Sequence, residues 1–115
     1  MTPDKAMKRI DDLASHVWMV RTFIKHSEEA AEDDELAEVY RELYDFAHAL
    51  GAPLKEGDAE TYLKTVKKKF AKLRRATELF GEIQPEISCH TNFQMAAHSL
   101  RTAVREIGEV LEGLT

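Results

Sequence analysis

A chain of 115 residues buries one hydrophobic core rather than two, which predicts a single domain over residues 1–115. With 43% hydrophobic and 32% charged residues, it has the balance of a globular protein, and no apolar run reaches the roughly 20 residues of a membrane span. A net charge of −5 argues against general nucleic-acid binding. The single cysteine, Cys89, excludes an internal disulfide, and residues 1–5 carry no apolar signal core; together these predict a reducing, cytoplasmic setting.

Apolar residues recur at helical spacing almost from end to end. The first helix reads over residues 4–31: Pro3 suits a first turn, Thr2 caps it, and Ile10, Leu13, Val17, Val20 and Ile24 form its stripe. A second stripe, Leu36, Val39, Leu43, Phe46 and Leu50, ends at Gly51 with Pro53 beyond. Between the two, residues 30–34 hold neither Gly nor Pro, and only their acidic cluster signals a new N-terminus. We read a break there, because an unbroken helix to Leu50 would be a rod of about 70 Å that needs a second chain to cover its stripe. Residues 51–57 read as a loop. Asp58 then caps a third helix carrying Leu63, Val66, Phe70, Leu73 and Phe80, which stops near Gly81. Pro85 opens the fourth, with Phe93, Ala96, Leu100, Val104, Ile107 and Leu111. Four amphipathic helices with short connections predict an all-α, antiparallel up-down-up-down four-helix bundle.

Charge is segregated along the chain. Residues 28–45 hold nine acidic residues against one basic, Arg41, whereas residues 64–75 hold seven basic residues and no acidic one. Folding the second and third helices into a hairpin brings Glu42 level with Lys67 and Glu35 level with Arg74, so the two blocks help select which helices neighbour each other. Lys67, Lys68, Lys69, Lys72, Arg74 and Arg75 also have the composition of a phosphate-binding face. Only Phe70 interleaves them, however, and it belongs to the core stripe.

Four of the five histidines, His16, His26, His90 and His98, fall on the first and fourth helices. An up-down arrangement sets His16 near the height of His98 and His26 near that of His90. Glu29 follows His26 by three residues and Glu86 precedes His90 by four, spacings that share one helix face. His26, Glu29, Glu86 and His90 are therefore the candidate metal ligands, although no repeated Glu-x-x-His pair of a di-metal bundle is present.

Around His98 the pattern is more specific. His98, Leu100 at plus two, Arg101 at plus three and Ile107-Gly108 at plus nine and ten resemble the phosphoacceptor helix of histidine phosphotransfer domains. The resemblance implies a four-helix bundle that relays phosphoryl groups between signalling proteins, with the imidazole of His98 attacking an aspartyl phosphate. The family's usual Gly at plus four is Thr102 here. Separately, Arg21-x4-His26 and Arg41-x6-His48 resemble spacings in helical ribonucleases of the HEPN type, with Thr22 or Glu42 where that family carries Asn, Asp or His.

The first helix carries more apolar bulk than one stripe needs. Trp18 and Met19 lie off the core line, Phe23 lies at its border, and Tyr44 is similarly placed on the second helix. Off-stripe aromatics of this kind mark an interface, with a second copy of the chain or with another protein. No Gly-rich phosphate loop, nucleophile elbow or Cys-x-x-Cys pair occurs, and no cofactor is predicted. Cys89 adjoins His90, but helical neighbours point about 100° apart, so adjacency does not make a nucleophile pair. The sequence reading is a helical interaction or regulatory module without covalent chemistry, self-associating as a homodimer. The alternatives are phosphotransfer at His98 and a metal-binding bundle.

Overall fold

Every long helix begins behind a side chain that caps it. The computed structural model describes residues 1–114, all of whose regular structure is helical. Thr2 opens α1 (Pro3–Lys25), its Oγ1 accepting the Lys5 N–H at 3.3 Å, and Pro3 occupies the first helical position, where an N–H has no partner to lose. Ser27 opens a short α2 (Glu28–Glu32) and Asp33 opens α3 (Asp34–Ala49), where Oδ1 accepts the Leu36 N–H at 2.9 Å. A second short helix, α4 (Gly51–Glu56), follows α3 directly. Asp58 caps α5 (Ala59–Ile87), accepting the backbone N–H of Thr61 at 3.0 Å and its hydroxyl at 2.7 Å. His90 opens α6 (Thr91–Glu112), its Nδ1 accepting the Asn92 N–H at 3.0 Å.

Three boundaries differ from the sequence reading. The first helix ends at Lys25, because the Ser27 hydroxyl donates to the Ile24 carbonyl at 2.6 Å and accepts the Ala30 N–H at 3.2 Å, offering the backbone an alternative to continuing. The break before the second stripe is thus present. The expected loop at residues 51–57 is instead α4. Pro53 sits in its first turn, where the ring is tolerated, and the chain stops only at Gly57. There φ is +68°, and the Gly57 and Asp58 N–H groups donate back to Leu54 and Pro53, a left-handed cap that favours glycine. Finally, α5 passes through Gly81 and Pro85 to Ile87 rather than ending. Pro85 lies in the last turn, where it forfeits one ladder bond, while the same turn buries Ile83 and Gln84.

The four long helices pack together around one cluster of buried residues. Ile10, Val17 and Ile24 of α1, Leu36, Val39 and Leu43 of α3, Tyr62, Val66 and Phe80 of α5, and Leu100 and Ile107 of α6 are fully buried. Burial of one such side chain contributes about 1.5–3 kcal/mol, so this stripe is the main source of stability. Every residue of the four expected stripes is buried except Phe70 and Leu111, which are half-buried at the edge. α1 lies beside α3 and α6, and α5 lies beside the same two. Arg9 meets Glu106 at 2.9 Å, His16 meets Ser99 at 3.3 Å and Phe23 meets Phe93 at 4.9 Å between ring centroids, so α1 and α6 run in opposite directions.

Length explains the short helices. At 1.5 Å per residue, α5 spans about 42 Å, the full 41 Å length of the fold, while α3 is little more than half as long. α2 and α4 extend its layer at either end. Where α5 crosses α6, a Cβ added at Gly108 would meet Phe70 Cζ at 3.0 Å, so the absent side chain sets how close the two helices come.

Two outcomes follow from these contacts. Gly108→Val is expected to lower stability by about 1–3 kcal/mol in denaturant unfolding, with no loss of helix content in circular dichroism. Asp58→Ala is expected to lower the unfolding midpoint at neutral pH through loss of the α5 cap. The Thr61 hydroxyl and N–H hold the Asp58 carboxyl below its ordinary 3.8, so the stabilisation is present above that pH and fades as pH falls through the lowered value. Unfolding curves of the two proteins should therefore converge in acid.

Candidate functional site

Two helical spacings bring four polar-aromatic side chains onto one surface. Trp18 and Arg21 are three residues apart on α1; Tyr44 and His48 are four apart on α3. The Arg21 guanidinium carbon lies 4.6 Å from the Trp18 ring centroid and 4.9 Å from that of Tyr44. The Trp18 and Tyr44 rings are themselves 6.0 Å apart, and His48 stacks on Tyr44 at 5.4 Å with 13° between the planes. Arg21 Nε is buried without a hydrogen-bond partner, and among the described residues no carboxylate lies in ion-pair reach of its guanidinium. Its charge is held by ring faces alone. Trp18 is 41% exposed, Tyr44 37% and Met19 63%, unusual values for side chains of that size in one patch.

Beside this cluster runs an apolar groove of about 300 Å³, walled by Ala14, Trp18 and Met19 of α1, Ala47 and Leu50 at the end of α3, and Leu54 of α4. It exists because α4 is helical: an extended connection would not place Leu54 opposite α1. Asp11 stands at one end, its carboxyl raised above the ordinary 3.8 by burial and by the neighbouring Asp12 charge. Beneath, Tyr62 is fully buried with its hydroxyl unpartnered, and burial together with the Asp11 charge pushes that hydroxyl above the usual tyrosine range.

Of the expected interface residues, Trp18, Met19 and Tyr44 meet here. Phe23 does not: it is half-buried on the α6 side, edge-on to Phe93. Arg21 and His48 were absent from the expected interface, although each follows its aromatic neighbour by one helical turn, the available signal.

The candidate metal ligands are divided. Glu29 and Glu86 line one groove between α2 and α5, with Glu32, Asp33 and Glu35. His26 instead sits at the C-terminus of α1, Nδ1 2.9 Å from the Thr22 carbonyl oxygen, and His90 spends Nδ1 on capping α6. Among the described residues no three His, Cys, Asp or Glu side chains are grouped to hold a metal ion. His98 is exposed, its Nδ1 3.4 Å from Arg101, while His16 lies beside Ser99. Gly108, part of the phosphotransfer-like pattern, is accounted for by the Phe70 ring against it. Of the ribonuclease-like spacings, Arg21 is held by Trp18 and Tyr44 and His26 by Thr22.

The charged blocks face each other in a shifted register. Glu42 shares grooves with Lys69, Lys72 and Arg75 rather than lying level with Lys67, and Glu35 lies near Ile83 and Glu86 rather than Arg74. The reason is α4, which moves the turning point of the chain to Gly57. Among the described residues no acidic side chain of the first block comes within 4.0 Å of a basic one of the second, so the attraction between them is diffuse and screened by salt.

Tyr62→Phe should raise thermal stability slightly, by up to about 1 kcal/mol, since it removes a buried hydroxyl that has no partner. A matched loss of stability would instead reveal a hydrogen bond to that hydroxyl. The chain matches no protein-family model, no curated protein and no solved structure.

Proposed function

We propose that this chain is an up-down-up-down four-helix bundle acting as a non-enzymatic interaction module, with the Trp18–Arg21–Tyr44–His48 surface and its groove as the docking site. The carrying observation is a guanidinium held only by two partly exposed rings at the edge of an apolar groove. Large aromatics and arginine dominate the energetics of protein interfaces, the aromatics because they bury much area with few rotors to freeze and arginine because its planar guanidinium both stacks on rings and donates hydrogen bonds. A partner covering the patch would desolvate the cation–π contacts and strengthen them. Self-association is the favoured mode, in the reducing cytoplasmic setting that a lone cysteine fits. Among the described residues no helix is long and apolar enough to cross a membrane.

A second reading keeps His98 as a phosphoacceptor, favoured by its exposure and by Arg101 beside it. It calls for acid-labile phosphate on His98 after incubation with a phosphorylated receiver domain, absent in His98→Gln.

For the interaction module, light scattering after size exclusion should give a mass that rises with concentration above the monomer's 13.1 kDa. Trp18→Glu should return it to the monomer value while leaving helix content unchanged. An undiminished dimer in that variant would remove this surface as the contact.

A further inference from the structure

The outward face of α1 carries a charge pattern that complements itself. Along the helix it runs Asp11 and Asp12, then Ser15, then Trp18 and Met19, then Thr22, then Lys25 and His26. Asp11 and Lys25 stand seven residues either side of Trp18; Asp12 and His26 stand seven either side of Met19. Seven residues are close to two helical turns, so each trio shares one side of the face. Asp12, Met19, Lys25 and His26 are exposed, and Asp11 and Thr22 half-buried. Among the described residues neither Asp11, Asp12 nor Lys25 has an ion-pair partner on its own chain.

That layout has a geometric consequence. Laid antiparallel on a copy of itself about an axis between Trp18 and Met19, the helix sets Asp11 against Lys25 of the copy and Asp12 against His26 of the copy. Trp18 then meets Trp18, and Met19 meets Met19, at the centre. A parallel copy instead stacks acid on acid and base on base, which opposes association. The neighbouring groove, with Leu50 and Leu54 in its wall, borders the Trp18–Met19 centre of this contact on the α3 side. A closed two-fold contact of this kind is isologous: each pair is made twice.

We propose that the occupant of this surface is a second copy of the chain, docked through α1 in antiparallel register about a two-fold axis between Trp18 and Met19. This rests on the reading of the surface as an association site. The apolar centre supplies affinity and the flanking charges set direction and register.

Charge reversal tests the geometry separately from the surface. Lys25→Glu and Asp11→Lys each create two symmetry-related like-charge contacts, and each alone should weaken association about tenfold in sedimentation equilibrium. Mixed in equal amounts, the two variants should regain wild-type association as a heterodimer, because each supplies the charge the other lacks. Lys25 is exposed, so its variant folds and is informative by itself. Unchanged association in Lys25→Glu, with Trp18→Glu still monomeric, overturns the antiparallel register and leaves the surface reading standing. A wild-type protein monomeric at every concentration overturns the second copy as occupant and the self-association favoured above.

Discussion

The turn at Gly57 and Asp58 sets the register on which the rest of the molecule depends. Because the chain stays helical through α4, it reverses only where Gly57 takes a left-handed conformation and Asp58 caps α5. The start of α5 is thereby fixed against the end of α3. Tyr62 and Val66 join Phe46 and Leu50 in one core cluster, and the basic block of α5 lies opposite Glu38, Glu42 and Asp45. The acids of α2 fall beyond the reach of that block and lie near Glu86 instead.

The same register explains why the α3 layer is built from three helices. α5 spans the full 41 Å of the fold, and its apolar face would project past α3 at both ends. α4 covers one end with buried Pro53, and α2, with Ala30 buried, lies at the end where Glu29 and Glu32 share a groove with Ile83 and Ile87. Each short helix is too small to be stable alone; packing on α5 and α3 holds α4 in place, and packing on α3 and α1 holds α2. The Leu54 wall of the groove is a by-product of that cover.

α1 has α3 on one flank and α6 on the other, which leaves its outward face to solvent. On the α6 flank the contacts are completed within the chain: Arg9 pairs with Glu106 and Phe23 packs on Phe93. On the α3 flank they are not, for Arg21 finds rings but no acid, and Trp18 and Tyr44 keep a share of their surface exposed. A guanidinium stacked on two rings makes the patch polar and apolar at once.

How much of this was legible without coordinates differs by feature. The helical class, the core stripes from Ile10 to Ile107, the caps at Thr2 and Asp58, and the off-stripe position of Trp18, Met19 and Tyr44 all follow from spacing, because a period of 3.6 residues sorts side chains into inside and outside before any packing occurs. Gly and Pro at residues 51, 53, 81 and 85 lie within helices rather than ending them, since Pro is tolerated within a turn of a helix end and an interior Gly costs only about 1 kcal/mol, which packing of buried neighbours outweighs. Tertiary structure alone decided which side chains meet across helices: that Arg21 is held between Trp18 and Tyr44, that Phe23 turns to Phe93, that His26 and His90 serve helix ends apart from Glu29 and Glu86, and that Gly108 receives the Phe70 ring. Helical periodicity assigns each residue a direction around its own axis, whereas the height at which two helices meet depends on where the chain turns between them, and here a helical α4 moved that point to Gly57.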